Sequence, residues 1–81
     1  MEFQEILKEV NNIYIDELDN DDIVLTAETT AKDIEEWDSL SHIQLIVAIE
    51  KHFKIKFLSS EIQCWQNVGQ MVETVVQKLN G

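Results

Sequence analysis

Apolar positions near the N-terminus follow a helical rhythm. Phe3, Ile6, Leu7, Val10, Ile13 and Tyr14 recur at i, i+3, i+4 and i+7. At about 100° per residue they share a stripe roughly 120° wide, which predicts an amphipathic helix. Asn11 and Asn12 weaken it locally but lie off the stripe. Residues 16–38 carry no sustained period. Ile23-Val24-Leu25 has β propensity, but one short strand without a partner makes no sheet. A long loop is predicted, with Ile23, Leu25 and Ile34 tucked onto the core and a single turn around Asp33–Trp37. Loops of that length in a small domain usually serve a function.

A second helix is predicted from Asp38-Ser39-Leu40 to about Phe53, with Asp38 or Ser39 as its N-cap. It has two apolar sides. With Leu40 at 0°, Leu45, Ile49, Phe53 and Ile46 fall at about 140°, 180°, 220° and 240°, forming a core face. Ile43 and Val47 fall near Leu40, at about 300° and 340°, nearly opposite that face. This second stripe, bordered by Gln44 and Lys51, either packs against the long loop or binds a partner. Three long helices enclose such a helix poorly, so the patterning favours an accessible partner-binding stripe. After a turn through Lys54–Leu58, Ser60-Glu61-Ile62-Gln63 has capping-box form and predicts a short helix through Cys64 and Trp65. Asn67-Val68-Gly69-Gln70 caps a last helix with Val68, Met71, Val72, Val75 and Leu79 on one face, and Gly81 is its expected stop. The fold class is therefore all-α: a small four-helix bundle, three helices long and one short, with a long loop after the first.

Length and charge narrow the function. The 81 residues make a single domain, 1–81. Six lysines and arginines against sixteen acids give a net charge of −10. Nucleic-acid binding and docking on an anionic membrane both need cations and are excluded as leading ideas. No apolar run is long enough to span a bilayer, and the acidic N-terminus lacks a signal core. The single cysteine permits no intramolecular disulfide, so a reducing, cytoplasmic setting is expected. The charge is uneven: residues 16–38 hold ten acids and one lysine, whereas residues 39–81 hold three acids and four lysines.

Trp37-Asp38-Ser39-Leu40, followed by His42-Ile43-Gln44-Leu45-Ile46-Val47-Ala48-Ile49-Glu50 and Phe53-Lys54-Ile55, resembles an acyl carrier protein. The resemblance covers nearly the whole chain, with the helices and the acidic loop in that family's order. It implies that Ser39 is the attachment point for 4′-phosphopantetheine, moved from coenzyme A by a phosphopantetheinyl transferase, and that the arm's thiol carries acyl groups as thioesters. The carrier would be non-enzymatic, would act as a monomer, and would present its cargo to acyl-loading and acyl-processing enzymes. The same resemblance implies that Asp38 supports the transferase, that Leu40, Ile43, Gln44, Val47, Glu50 and Lys51 form the face that partners grip, and that His42 lies near the arm. A helix start also suits a phosphodiester, because free N–H groups and the helix dipole face it. Gln44 and Lys51 stand where carriers of primary fatty acid synthesis have acids, and Trp37 is also atypical of them. Both point to a dedicated fatty-acid-like, polyketide-like or other secondary pathway. An unmodified acidic interaction module and an aminoacyl or peptidyl carrier are the alternatives.

Other chemistries fit poorly. Asp38, Ser39 and His42 have the residue types of a hydrolase triad but lack a nucleophile elbow. The run from Asp16 to Asp22 fails calcium-loop spacing, and His42, His52 and Cys64 have no metal-ligand spacing. Cys64 reads as a packed small residue, and Trp37 and Trp65 as core or loop anchors.

Overall fold

The computed structural model describes residues 2–80 and contains four α-helices: α1 (Phe3–Leu18), α2 (Ser39–Phe53), α3 (Ser59–Cys64) and α4 (Val68–Asn80). Gly81, the expected stop of the last helix, lies outside the described residues. α1 packs against both α2 and α4. Their apolar faces meet in one core: Ile6, Val10 and Tyr14 from α1, Leu45, Ile49 and Phe53 from α2, and Val68, Met71, Val72 and Val75 from α4. Each such side chain contributes about 1.5–3 kcal/mol by leaving water. These are the faces that the periodicity predicts, except that Ile46, expected on the core face of α2, is only half-buried and stands outside this core.

The first helix runs further than its clearest stripe, so the loop spans residues 19–38 rather than 16–38. Ile15 and Leu18 pack on the rim of the core and extend the helix through Asp16 and Glu17. Asp19 then turns left-handed at φ 52°, and the Asn20 N–H reaches back to the Ile15 carbonyl at 3.2 Å. α2 ends the same way, with Lys54 at φ 58° and the Ile55 N–H on the Glu50 carbonyl at 3.0 Å. Both closures satisfy carbonyls that a helix end leaves orphaned.

Ile23, Leu25 and Ile34 are buried, as expected, while Val24 between the first two is 78% exposed. That in–out–in alternation is strand-like, and the missing strand partner is a side chain. The Asn11 amide donates to the Ile23 carbonyl at 3.2 Å and accepts from the Leu25 N–H. Asn11, which propensity marks as a weak point of α1, is thus the clip that fastens the loop. The expected turn around Asp33–Trp37 divides in two. A 3₁₀ turn covers Ala31–Asp33, where the Asp33 carboxylate accepts the Thr30 N–H at 2.9 Å. A β-turn follows, closed by the Trp37 N–H on the Ile34 carbonyl at 3.2 Å.

The same loop seals the start of α4. The Val68 N–H donates to the Thr29 carbonyl and the Gly69 N–H to the Ala27 carbonyl, each at 2.9 Å. A Cβ on Gly69 would stand 2.7 Å from the Ala27 oxygen, so this close approach requires glycine. Asn67 completes the seal by accepting the Gln70 N–H at 3.0 Å.

α3 departs from expectation in its cap. It begins at Ser59, and Glu61 rather than Gln63 reaches back, accepting the Leu58 N–H at 2.7 Å. Leu58 has no side-chain acceptor, so only half a capping box forms. Lys78 holds Glu61 from α4 at 3.0 Å, and these two donors keep the Glu61 carboxyl below its ordinary value. Trp65 fastens the other side, through its indole N–H on Thr74 Oγ1 at 3.0 Å and an edge-to-face contact with Phe57 at 4.9 Å. With Trp65 turned inward, Cys64 is left exposed rather than packed.

Candidate functional site at the head of α2

Asp38 settles which residue caps α2. Its Oδ1 accepts the Leu40 N–H at 3.0 Å and the Ser41 N–H at 2.9 Å. Ser41 reciprocates: its Oγ accepts the Asp38 N–H at 2.8 Å and donates to the Glu36 carbonyl at 2.9 Å. Aspartate at N-cap and serine at N3 thus form a capping box, a D-x-x-S pattern that sequence reasoning passed over. The N–H and hydroxyl of Ser41, then the N–H of Leu40, hold the Asp38 carboxyl below the usual carboxylate range.

Two consequences concern Ser39. It is the first residue of the helix, it is exposed, and the cap leaves its hydroxyl out. The expectation of free N–H groups facing a phosphodiester is corrected, however. Asp38 already occupies the Leu40 and Ser41 N–H groups, and its charge offsets the positive end of the helix dipole. What the helix start offers at Ser39 is access.

Beside Ser39 lies a cleft of about 350 Å³. Trp37, His42, Trp65 and Met71 line it from three directions, and Thr30 and Ala31 bring the long loop to its rim. Trp37 reaches the cleft from the core side, edge-on to the buried Tyr14 at 5.0 Å. Its indole N–H donates to His42 Nδ1 at 3.1 Å, which requires that nitrogen to be unprotonated. Burial acts in the same direction, pushing the His42 imidazole below its ordinary value. With Nδ1 accepting this bond, the neutral ring carries its proton on Nε2 and keeps no lone pair for a serine hydroxyl, so Asp38, Ser39 and His42 form no catalytic relay.

Down α2 the second apolar stripe faces outward. Leu40 is 69% exposed, Ile43 62% and Val47 41%. Gln44 and Lys51 are exposed beside it. Glu50 is half-buried, and its carboxylate accepts the Phe57 N–H at 2.8 Å, so it anchors the turn after α2.

Comparison with known proteins agrees with this arrangement. Residues 2–75 match the family described as phosphopantetheine attachment site. The acyl carrier protein of Caulobacter vibrioides is 31% identical over 74 residues, covering 91% of this chain and 95% of the relative. The solution NMR structure of a holo acyl carrier protein from Geobacter metallireducens superposes with a TM-score of 0.88 at 48% identity, covering 93% of this chain and 86% of that one. Fold, exposed serine and sequence likeness converge, and the chain belongs to the acyl carrier proteins of the phosphopantetheine-attachment family.

Proposed function

We propose that Ser39 is the residue that receives the 4′-phosphopantetheine arm, and that this chain carries acyl groups for a dedicated biosynthetic pathway. The observation that carries this reading is the division of labour at the head of α2. Asp38 and Ser41 make the cap, which leaves the exposed Ser39 hydroxyl available for transfer without loss of the helix start. The residues present fit the group, because a solvent-facing serine beside an open cleft leaves a long, flexible arm room to attach and move. The arm, once attached, supplies a terminal thiol that holds an acyl group as a thioester.

The chain's own part is to present Ser39 and to be recognised. In the loading step the Ser39 oxygen bonds to phosphorus, the pyrophosphate bond of coenzyme A breaks, and adenosine 3′,5′-bisphosphate leaves. A phosphopantetheinyl transferase takes the serine proton, and the exposed Asp38 carboxylate, one residue before Ser39, would help to hold that enzyme's magnesium. The exposed Leu40, Ile43 and Val47, with Gln44 and Lys51, suit the grip of this transferase and of acyl-loading and acyl-processing enzymes. Gln44 and Lys51 in place of acids support a dedicated pathway over general fatty acid synthesis. The single cysteine suits a reducing setting, and we place this single carrier domain, 1–81, in the cytoplasm as a monomer. Among the described residues no helix is long and apolar enough to cross a membrane.

Intact-mass measurement after incubation with coenzyme A and a promiscuous transferase tests the assignment. The native chain gains the mass of one arm. Ser39→Ala gains none and melts within a few degrees of native, because the cap it leaves behind is made by its neighbours. An alanine variant that still gains the arm would overturn the choice of Ser39.

A further inference from the structure

The surface around α2 is charged unequally at the two ends of the helix. The loop that leads into Ser39 carries the exposed acids Asp33, Glu35, Glu36 and Asp38. At the far end Lys51, Lys54 and Lys56 are exposed, and together with Val47, Glu50 and Ile55 they line a shallow concavity of about 460 Å³. Three of the six lysines of a chain with net charge −10 therefore fall within residues 51–56.

Intramolecular pairing does not account for them. Among the described residues the ion pairs are Glu9 with His52 and Glu61 with Lys78, and none of these three lysines joins one. Glu50, the nearest acid in sequence, is turned to the Phe57 N–H. The helix dipole favours cations near the last carbonyls, and Lys51 and His52 satisfy it. It does not require the cations to gather on one side, nor Lys56 beyond the helix. Lys51 nevertheless lies within about 40° of Val47 around the helix, so the basic end continues the apolar stripe.

The geometry points to an oriented docking face whose occupant is an acidic, amphipathic segment of a partner enzyme, with apolar side chains on the stripe and carboxylates over Lys51, Lys54 and Lys56. The inference rests on the carrier reading and adds the chemistry of the partner. At about 1.5 Å per residue the lysines stand roughly 20 Å from Ser39. A partner bound the other way round would bring its carboxylates to Asp38 and toward the acidic loop that leads into it. Complementary charge at one end and repulsion at the other thus fix the direction of docking and bring the active site over Ser39.

The test uses the full chain and two synthetic helical peptides as probes, one built of leucine and glutamate, the other of leucine and lysine. Amide shifts are followed by NMR at low salt. The Leu/Glu peptide shifts Ile43, Val47, Lys51, Lys54, Ile55 and Lys56, even though the net charge of the chain opposes it. The triple variant Lys51→Glu, Lys54→Glu, Lys56→Glu binds it about tenfold or more weakly, and Val47→Asp weakens it too. Lys8→Glu with Lys32→Glu leaves binding unchanged. Shifts spread over Lys8, Lys32 and Lys78, or binding that survives the triple variant, would overturn the inference. So would salt-sensitive dimerisation of the native chain lost in the triple variant, because the face would then belong to a second copy. Intact mass after transferase treatment, measured on every variant, reports the carrier reading separately. A native chain that takes no arm would sink that reading whatever the peptides do.

Discussion

α2 and α4 both begin against the long loop, yet their first turns are sealed by opposite means. α2 closes itself: Asp38 and Ser41, within one turn, satisfy each other's N–H groups, and Asp38 takes that of Leu40 as well. α4 has a local cap from Asn67 on Gln70, but its first two N–H groups are closed from outside, by the carbonyls of Ala27 and Thr29, which lie some forty residues earlier in the chain. A self-sealed start stands in solvent with a spare hydroxyl at its first position. A start sealed by another segment is buried, requires glycine, and offers nothing to a partner. Chemistry at a helix start therefore calls for a local cap, whereas a distant seal builds the bundle.

The comparison breaks hardest at Gly69. Alanine usually stabilises a helix relative to glycine by roughly 0.5–1 kcal/mol. Here its Cβ would meet the Ala27 oxygen, so Gly69→Ala should instead destabilise by about 2–4 kcal/mol, as overpacking and a strained hydrogen bond add together. Chemical denaturation checks the sign. A stabilised variant would show that the loop yields and that the seal is dispensable.

Next in size is the clip. Asn11→Ala removes both side-chain bonds to the loop while improving helix propensity. The net loss should be about 1–2 kcal/mol. Hydrogen exchange should accelerate at Leu25, Val68 and Gly69 and stay unchanged at Leu40 and Ser41. Equal acceleration at both helix starts would contradict their independence.

Asp38→Ala strikes the other start. Exchange at the Leu40 and Ser41 amides should rise while Val68 and Gly69 stay protected, with only a modest fall in melting temperature. The gentlest perturbation is acid. The native Asp38 carboxyl titrates below its ordinary value of 3.8. Its stabilising contribution is therefore complete above that value and disappears as pH falls through the lower native one. Below pH 3.8 the Leu40 and Ser41 amide resonances should move toward uncapped positions. Those of Val68 and Gly69, bonded to carbonyls that do not titrate, should lack that transition.

Much of the bundle was legible from its periodicity. The buried faces of α1, α2 and α4 are the predicted ones apart from Ile46 at the edge of the α2 face, because a helix repeats its environment every three or four residues. The exposed place of Ser39 at the head of α2 was legible as well, from the short motif and the helix behind it. Asn11 was not, since no local signal distinguishes an asparagine that weakens a helix from one that holds a loop. Its two partners, Ile23 and Leu25, are twelve and fourteen residues away. The bond from Trp65 to Thr74, nine residues on, was equally invisible, as was the exposure of Cys64 beside it.

By itself, then, the sequence determined the helices, their inward faces, the outward stripe of α2 and the serine at its head. Each depends on neighbours within a turn or two, where chain connectivity alone sets geometry. Tertiary structure decided where the long loop lies, why position 69 is glycine, and that the Ser39 end of α2 opens onto a cleft framed by Trp37, His42 and Trp65. Those features need segments far apart in the chain to meet, and contacts of that kind form only once the core has brought the helices together.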